Sequence, residues 1–313
     1  MRKTLLAVVA LAMLVLPDRS VPKEPAKKKV QVFVLVPKSV IHPYWARCKK
    51  GMQAAAKELG VKAIFDGPTN NDLAQQINII EGYITKRVSG IAISPNDPRG
   101  IEEVIKRAVR RDIPVVTFDS DSPTSERYMY IGTVNREAGR VAGREMVKAL
   151  GGKGDVAILH GSVTAMNLRE RLDGFREVVD KEPGIKVVAL EENRDDAALA
   201  LTQAENLLRG HPTLAGFYAT SAPGAPAAVA ALRSSGRAGK VKVIGFDLDK
   251  ENLRAIEKGW ITAIIEQRPY AMGKLAVEWL HRIKNGERPT SRVLDTGVEV
   301  VTKANAKQAA SFL

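Results

Sequence analysis

The chain has 313 residues, enough for two domains of ordinary size. Its composition, 45% hydrophobic and 27% charged, excludes a disordered chain and a multi-span membrane protein. Residues 1–29 hold seven Lys and Arg against Asp18 and Glu24, so they contribute +5 of the formal +13 and leave +8 elsewhere. That remainder is spread along amphipathic segments, which speaks for a basic surface and against a nucleic-acid footprint.

The N-terminus reads Met1-Arg2-Lys3, then the apolar run Leu5–Leu16, then Pro17-Asp18-Arg19. A basic start and a twelve-residue apolar stretch fit an export signal and are too short for a standard membrane span. No small-x-small pair follows Leu16, so the cleavage point stays open and an uncleaved anchor remains an alternative. Val21–Lys29, with two prolines and four lysines, reads as a solvated linker.

Val30–Val36 is the first strand candidate, and the helical series Trp45, Cys48, Met52, Ala55, Leu59 follows it. Cys48 is the only cysteine; it sits on the buried face of that series, so neither an internal disulfide nor a thiolate metal cluster is expected. Further strands are expected at Lys62–Phe65, Gly90–Ile93, Val115–Phe118 and Tyr128–Ile131, separated by helical patterns over Leu73–Lys86 and Ile101–Arg110. A second series runs through Asp155–His160, Ile185–Leu190, Ala215–Tyr218, Val241–Phe246 and Thr262–Ile265. Its helices are expected at Asn167–Val179, Ala197–Leu208, Pro226–Ser234 and Glu251–Lys258. Alternating strands and helices with short turns predict two doubly wound parallel α/β units. A long helix, Pro269–Asn285, and a short strand, Val298–Val301, are too little for a third unit and must dock back on the first two.

Strand ends carry the candidate chemistry. Val30–Val36 stops at Pro37-Lys38-Ser39, Val115–Phe118 at Asp119-Ser120-Asp121, and Val241–Phe246 at Asp247. Ligands of open α/β sheets bind outside the carboxyl ends of the strands, so these residues point to one cleft for a small polar molecule. His160, His211 and His281 are isolated and read as structural or surface residues.

The segments HPYW at 42–45, IPVVTFDSD at 113–121, NLRERLDGF at 167–175, VIGFD at 243–247 and IIEQRPYAMG at 264–273 occur in one order. Together they resemble a periplasmic sugar-binding protein of the ribose-binding type, the ligand receptor of an ABC importer. The resemblance covers roughly residues 30–300. It implies the type I periplasmic binding protein fold: two Rossmann-like lobes joined by three hinge crossings, here near Val134, Glu266 and Leu294. Residues 30–133 with 267–293 would form the first lobe, 134–266 with 294–313 the second, and 1–29 the signal and linker. The ligand site it implies comprises Lys38, His42, Tyr44, Trp45, Asp119, Arg169, Ser221, Asp247 and Gln267. Aromatic rings would cover the C–H faces of a sugar while charged and amide groups take its hydroxyls. The implied protein is monomeric and periplasmic, uses no cofactor or metal, and delivers ligand to a membrane permease. A chemoreceptor or sensor kinase is the other reader such a closed form could have.

Ser120 stands where ribose binders carry arginine. Asp66-Gly67-Pro68-Thr69 and Asp119-Ser120-Asp121 resemble the branch of rhamnose and autoinducer-2 receptors, but Ala165-Met166 replaces the Asp-Gln pair of the latter. A pentose, hexose, deoxysugar or polyol is therefore favoured over autoinducer-2. An enzyme is disfavoured because no G-x-S-x-G elbow, H-E-x-x-H pair or phosphate loop is present. A lactose-repressor-type regulator would need a helix-turn-helix where Leu5–Leu16 and the linker stand.

Overall fold

The computed structural model describes residues 30–312; the export-signal and linker reading of residues 1–29 lies outside the described residues. The chain opens with β1 (Val32–Val36), α1 (Pro43–Leu59), β2 (Lys62–Phe65), α2 (Leu73–Thr85), β3 (Gly90–Ile93), α3 (Glu102–Val109), β4 (Val115–Phe118) and β5 (Tyr130–Gly132). The pattern then repeats as α4 (Asn135–Leu150), β6 (Lys153–His160), α5 (Met166–Val179), β7 (Gly184–Glu192), α6 (Ala197–Gly210), β8 (Leu214–Ala219), α7 (Gly224–Ser234), β9 (Lys242–Phe246), α8 (Lys250–Glu257) and β10 (Ala263–Glu266). It ends with α9 (Pro269–Lys284), β11 (Val293–Asp295), β12 (Glu299–Val301) and α10 (Ala306–Ala309).

Local chemistry sets the element ends. His42 caps α1 by accepting from the Tyr44 N–H through Nδ1, Pro43 starts the helix, and Gly60 ends it in the left-handed region. Asp72, Asp196 and Asp249 cap α2, α6 and α8 through their carboxylates.

Two six-stranded sheets result, ordered β11-β5-β4-β3-β1-β2 and β12-β10-β9-β8-β6-β7. Position for position these are the same order, so each lobe is one copy of a doubly wound unit. The pairings are parallel except that between β10 and β12, which is antiparallel. Both faces of each sheet are buried under helices, which is why β1, β3, β4 and β9 read as near-continuous apolar runs. The chain crosses between sheets three times, after β5, after β10 and after β11. The third crossing corrects the sequence boundary: β11 pairs in parallel with β5, so Leu294 and Asp295 still belong to the first sheet.

In each lobe the helix that enters from the other lobe packs against the helix following the lobe's first strand. Glycines permit the approach. A Cβ on Gly273 of α9 would lie 2.0 Å from the Cys48 carbonyl oxygen, and one on Gly51 of α1 would lie 1.9 Å from that of Tyr270. In the second lobe, Gly139 of α4 and Gly174 of α5 meet the Arg171 and Arg136 carbonyl oxygens at 2.2 and 1.9 Å in the same sense. The α4 helix escaped the periodicity analysis because its buried face is Ala138, Gly139, Ala142, Gly143 and Met146, small residues with little apolar signature.

Gly273→Ala is expected to destabilise the fold by about 2 kcal/mol through backbone overpacking. Gly82→Ala, in helix α2 with open space around it, is expected to stabilise by roughly 0.5–1 kcal/mol. Denaturant titration of the two variants checks this; equal effects would dismiss the close helix contact as a constraint.

Candidate functional site

The carboxyl ends of β1, β4, β7, β8, β9 and β10 face one cavity of about 730 Å³ between the two sheets. Lys38, His42, Tyr44, Trp45, Asp119, Ser221, Asp247 and Gln267 all line it.

Two of these residues are structural equivalents. Asp119 follows β4 and Asp247 follows β9, both with left-handed backbone, at φ 61° and 67°. In both, the amide N–H donates across the sheet at 3.2 Å, to Ile131 and to Ile265 respectively. Aspartate tolerates this conformation better than most residues, and such backbone strain clusters at binding sites.

Asp119 is the better neutralised of the pair. Its Oδ1 accepts from the Tyr44 hydroxyl at 3.0 Å, its Oδ2 from Ser94 Oγ at 2.7 Å, and Lys38 Nζ stands 3.3 Å from Oδ2. Asp247 receives one protein donor, Gln267 Nε2 at 2.8 Å. Burial pushes its carboxyl above the usual carboxylate range, with Arg171 pulling the other way.

Arg171 is the cavity-lining arginine that the resemblance did not select. The resemblance selected Arg169, but Arg169 is exposed and donates to the Val163 carbonyl at 3.2 Å, outside the cavity. Arg171 is 1% exposed and lines the cavity. Its Nε donates to Asn135 Oδ1 at 2.9 Å, its Nη1 to the Thr220 carbonyl at 3.0 Å, and its guanidinium lies 4.1 Å from the Phe246 ring centroid. The signal was periodicity: Leu168, Arg171 and Phe175 share one buried helix face, whereas Arg169 lies on the opposite side.

Several polar atoms remain available. Arg171 Nη2, Ser221 Oγ and Gln267 Oε1 are buried without a protein hydrogen-bond partner. Buried polar groups are normally paired, and these three exceptions all belong to residues that line the cavity. Tyr44 and Trp45 supply an aromatic wall, their rings edge to face at 4.9 Å. Both are also core residues, packed with Phe33, Phe118 and Met272. His42 is half-buried and spends Nδ1 on the α1 cap, which leaves Nε2 for the cavity.

The cleft is closed by contacts between lobes. Lys38 Nζ donates to Asn167 Oδ1 at 2.8 Å, and Asn71 Nδ2 donates to Asp195 Oδ2 at 2.9 Å. Beside the second crossing, Arg47 Nη1 of α1 meets Glu266 Oε1 at 2.6 Å, and Glu266 Oε2 accepts from the Leu248 N–H at 2.5 Å. Asp121, by contrast, is taken up by Arg127 and Thr117 and pins the connection from β4 to β5. Among the described residues there is no cluster of three or more His, Cys, Asp or Glu able to hold a metal.

Burial pushes the Glu266 carboxyl up to about 7, outweighing Arg47, with Asp247 adding to the rise. A carboxyl raised in the fold binds its proton more tightly there than in the unfolded chain. Its contribution is therefore complete at low pH and is lost between its ordinary value of 4.5 and about 7. The stability of the protein relative to Glu266→Gln is expected to fall by roughly 3 kcal/mol across that window and stay level above it. Denaturant unfolding at a series of pH values measures this, and a difference that rises with pH would refute it.

A periplasmic binding protein domain matches residues 33–288. The chain is 30% identical over 295 residues to the ribose import binding protein of Bacillus subtilis (strain 168), covering 92% of this chain and 95% of that protein. A crystal structure of an ABC transporter solute-binding protein from Burkholderia graminis C4D1M, in complex with D-arabinose, superposes with a TM-score of 0.86 at 41% identity, over 90% of this chain and 98% of that one. A glucose-galactose binding protein from Geobacillus stearothermophilus superposes at 0.85 with 37% identity, over 89% and 99%. With two like sheets, three crossings and a polar cleft at the strand ends, the chain belongs to the periplasmic binding protein family.

Proposed function

We propose that this protein is the exported receptor of an ABC importer and captures a sugar or sugar-like molecule between its two lobes. The observation that carries the reading is the cavity wall: a strand-end carboxylate beside an aromatic pair on the first lobe, and a second strand-end carboxylate with a buried guanidinium on the other. A sugar has apolar C–H faces and a polar rim, and this wall offers a surface for each.

In this reading Lys38, His42, Tyr44, Trp45 and Asp119 hold ligand from the first lobe. Asn167, Arg171, Ser221 and Asp247 hold it from the second, and Gln267 binds at the hinge. A ligand touching both lobes favours the closed form, because only that form offers all its contacts at once. The closed surface is then presented to a membrane permease. Residues 1–29 direct export. No helix among the described residues is long and apolar enough to cross a membrane.

Thermal unfolding in the presence of pentoses, hexoses, deoxysugars, polyols and autoinducer-2 tests the proposal. A true ligand at about 100 times its dissociation constant is expected to raise the melting temperature by about 5 °C. Asp119→Ala and Asp247→Ala are each expected to abolish that rise. No response to any sugar would defeat the reading, and a sugar response unchanged in both variants would defeat the site assignment.

A further inference from the structure

We infer that Asp195 is a specificity residue whose carboxylate is divided between closing the cleft and recognising a ligand hydroxyl. The inference rests on the sugar-binding reading above and deepens it. Asp195 lies in the turn from β7 into α6, a segment that the sequence analysis passed over, and its side chain lines the cavity.

The turn is strained and firmly held. Arg194 and Asp195 are consecutive non-glycine residues in the left-handed region, at φ 54° and 58°. Such residues persist only where their surroundings over-determine the conformation. Asn193 supplies that restraint. It is fully buried, its Oδ1 accepts from the Asp195 N–H at 3.0 Å, and its carbonyl accepts from the Asp196 N–H at 2.9 Å.

The result is a carboxylate with two separate tasks. Oδ2 accepts from Asn71 Nδ2 of the opposite lobe at 2.9 Å. Oδ1 is buried and has no protein partner. Ser221 Oγ is also buried and unpartnered, on a residue 6% exposed. The two atoms converge on Gly161: a Cβ there would stand 2.3 Å from Asp195 Oδ1 and 2.6 Å from Ser221 Oγ. A side chain at 161 would collide with both atoms, so glycine is what lets the acceptor and the hydroxyl come this close together.

An ionised carboxylate oxygen accepts and does not donate, so the group facing it must be a donor. A neutral sugar hydroxyl fits: it donates to Asp195 Oδ1 and can exchange a hydrogen bond with Ser221. A sugar acid with its carboxylate at this point is repelled by like charge. The derivative lacking that hydroxyl leaves the acceptor buried and unpaired, which is the costly outcome for a site built on hydrogen bonds. Asn71 takes the other oxygen from the opposite lobe, so cleft closing and hydroxyl recognition fall on separate oxygens of one carboxylate.

Calorimetric titration of the full protein and of Asp195→Ala, Asp195→Asn and Asn71→Ala tests the inference. The probes are D-arabinose, D-ribose and D-galactose with their singly deoxygenated derivatives. The wild type is expected to prefer one parent sugar over one of its deoxy derivatives by tenfold or more. In Asp195→Ala that preference falls to within twofold, because the parent alone weakens. Asn71→Ala weakens parent and derivative by a common factor and keeps the preference. Asp195→Asn retains the shape of the turn, so a reduced preference there separates lost recognition from a misfolded loop. A preference unchanged in both Asp195 variants overturns the inference while sugar binding stands. A wild type that binds none of the sugars overturns the sugar-binding reading, and this inference with it.

Discussion

A guanidinium cannot be left in a protein interior without partners, and the second lobe is built around satisfying one. Arg171 projects from α5 into the sheet end, bonds Asn135 of the crossing helix α4 and the carbonyl that ends β8, and lies against Phe246 at the end of β9. Those contacts tie together three elements that the chain reaches at widely separated points. They also place an uncommitted Nη2 and a positive charge beside Asp247, whose buried carboxyl would otherwise be held more strongly in its neutral form. The binding wall and the packing of the lobe are therefore one arrangement.

The first lobe solves the same problem with different residues. Asp119 occupies the place of Asp247 in the repeated topology, with the same left-handed backbone and the same cross-strand hydrogen bond. Its charge is met by Lys38, Tyr44 and Ser94 in place of an arginine. Two copies of one architecture thus present two acidic strand ends to each other, one well compensated and one receptive. Paired glycine contacts between α1 and α9 and between α4 and α5 bring the crossing helices close. This closeness sets where the hinge segments leave each sheet.

Much of this was legible before any coordinates. Apolar runs of four to six residues ending in polar residues announced parallel strands buried on both faces, because such strands have no solvent side to alternate with. The strand-end residues Lys38, Asp119 and Asp247 were readable for the same reason. Three features were not. Helix α4 buries alanine and glycine, so it lacks the large apolar residues that reveal periodicity. Strand β11 is three residues long and half exposed, too short for a pattern. Arg171 was passed over in favour of Arg169 because motif matching ignored that two positions along a helix turn a side chain to the far face.

The amino-acid sequence alone determined the fold class, a twice-repeated α/β alternation whose polar strand ends form a cleft for a small polar molecule, and its ordered motifs carried the resemblance to sugar receptors. These properties depend on local periodicity and on short motifs, which the linear chain carries in full. Tertiary structure alone decided which polar groups meet. Lys38 with Asn167, Asn71 with Asp195 and Arg47 with Glu266 are 129, 124 and 219 residues apart. No local pattern encodes such pairs, because they form only when three crossings fold one lobe onto the other. Ser221 Oγ and Asp195 Oδ1 are likewise buried without partners beside Gly161, and burial is a property of the folded lobe rather than of any segment of the chain.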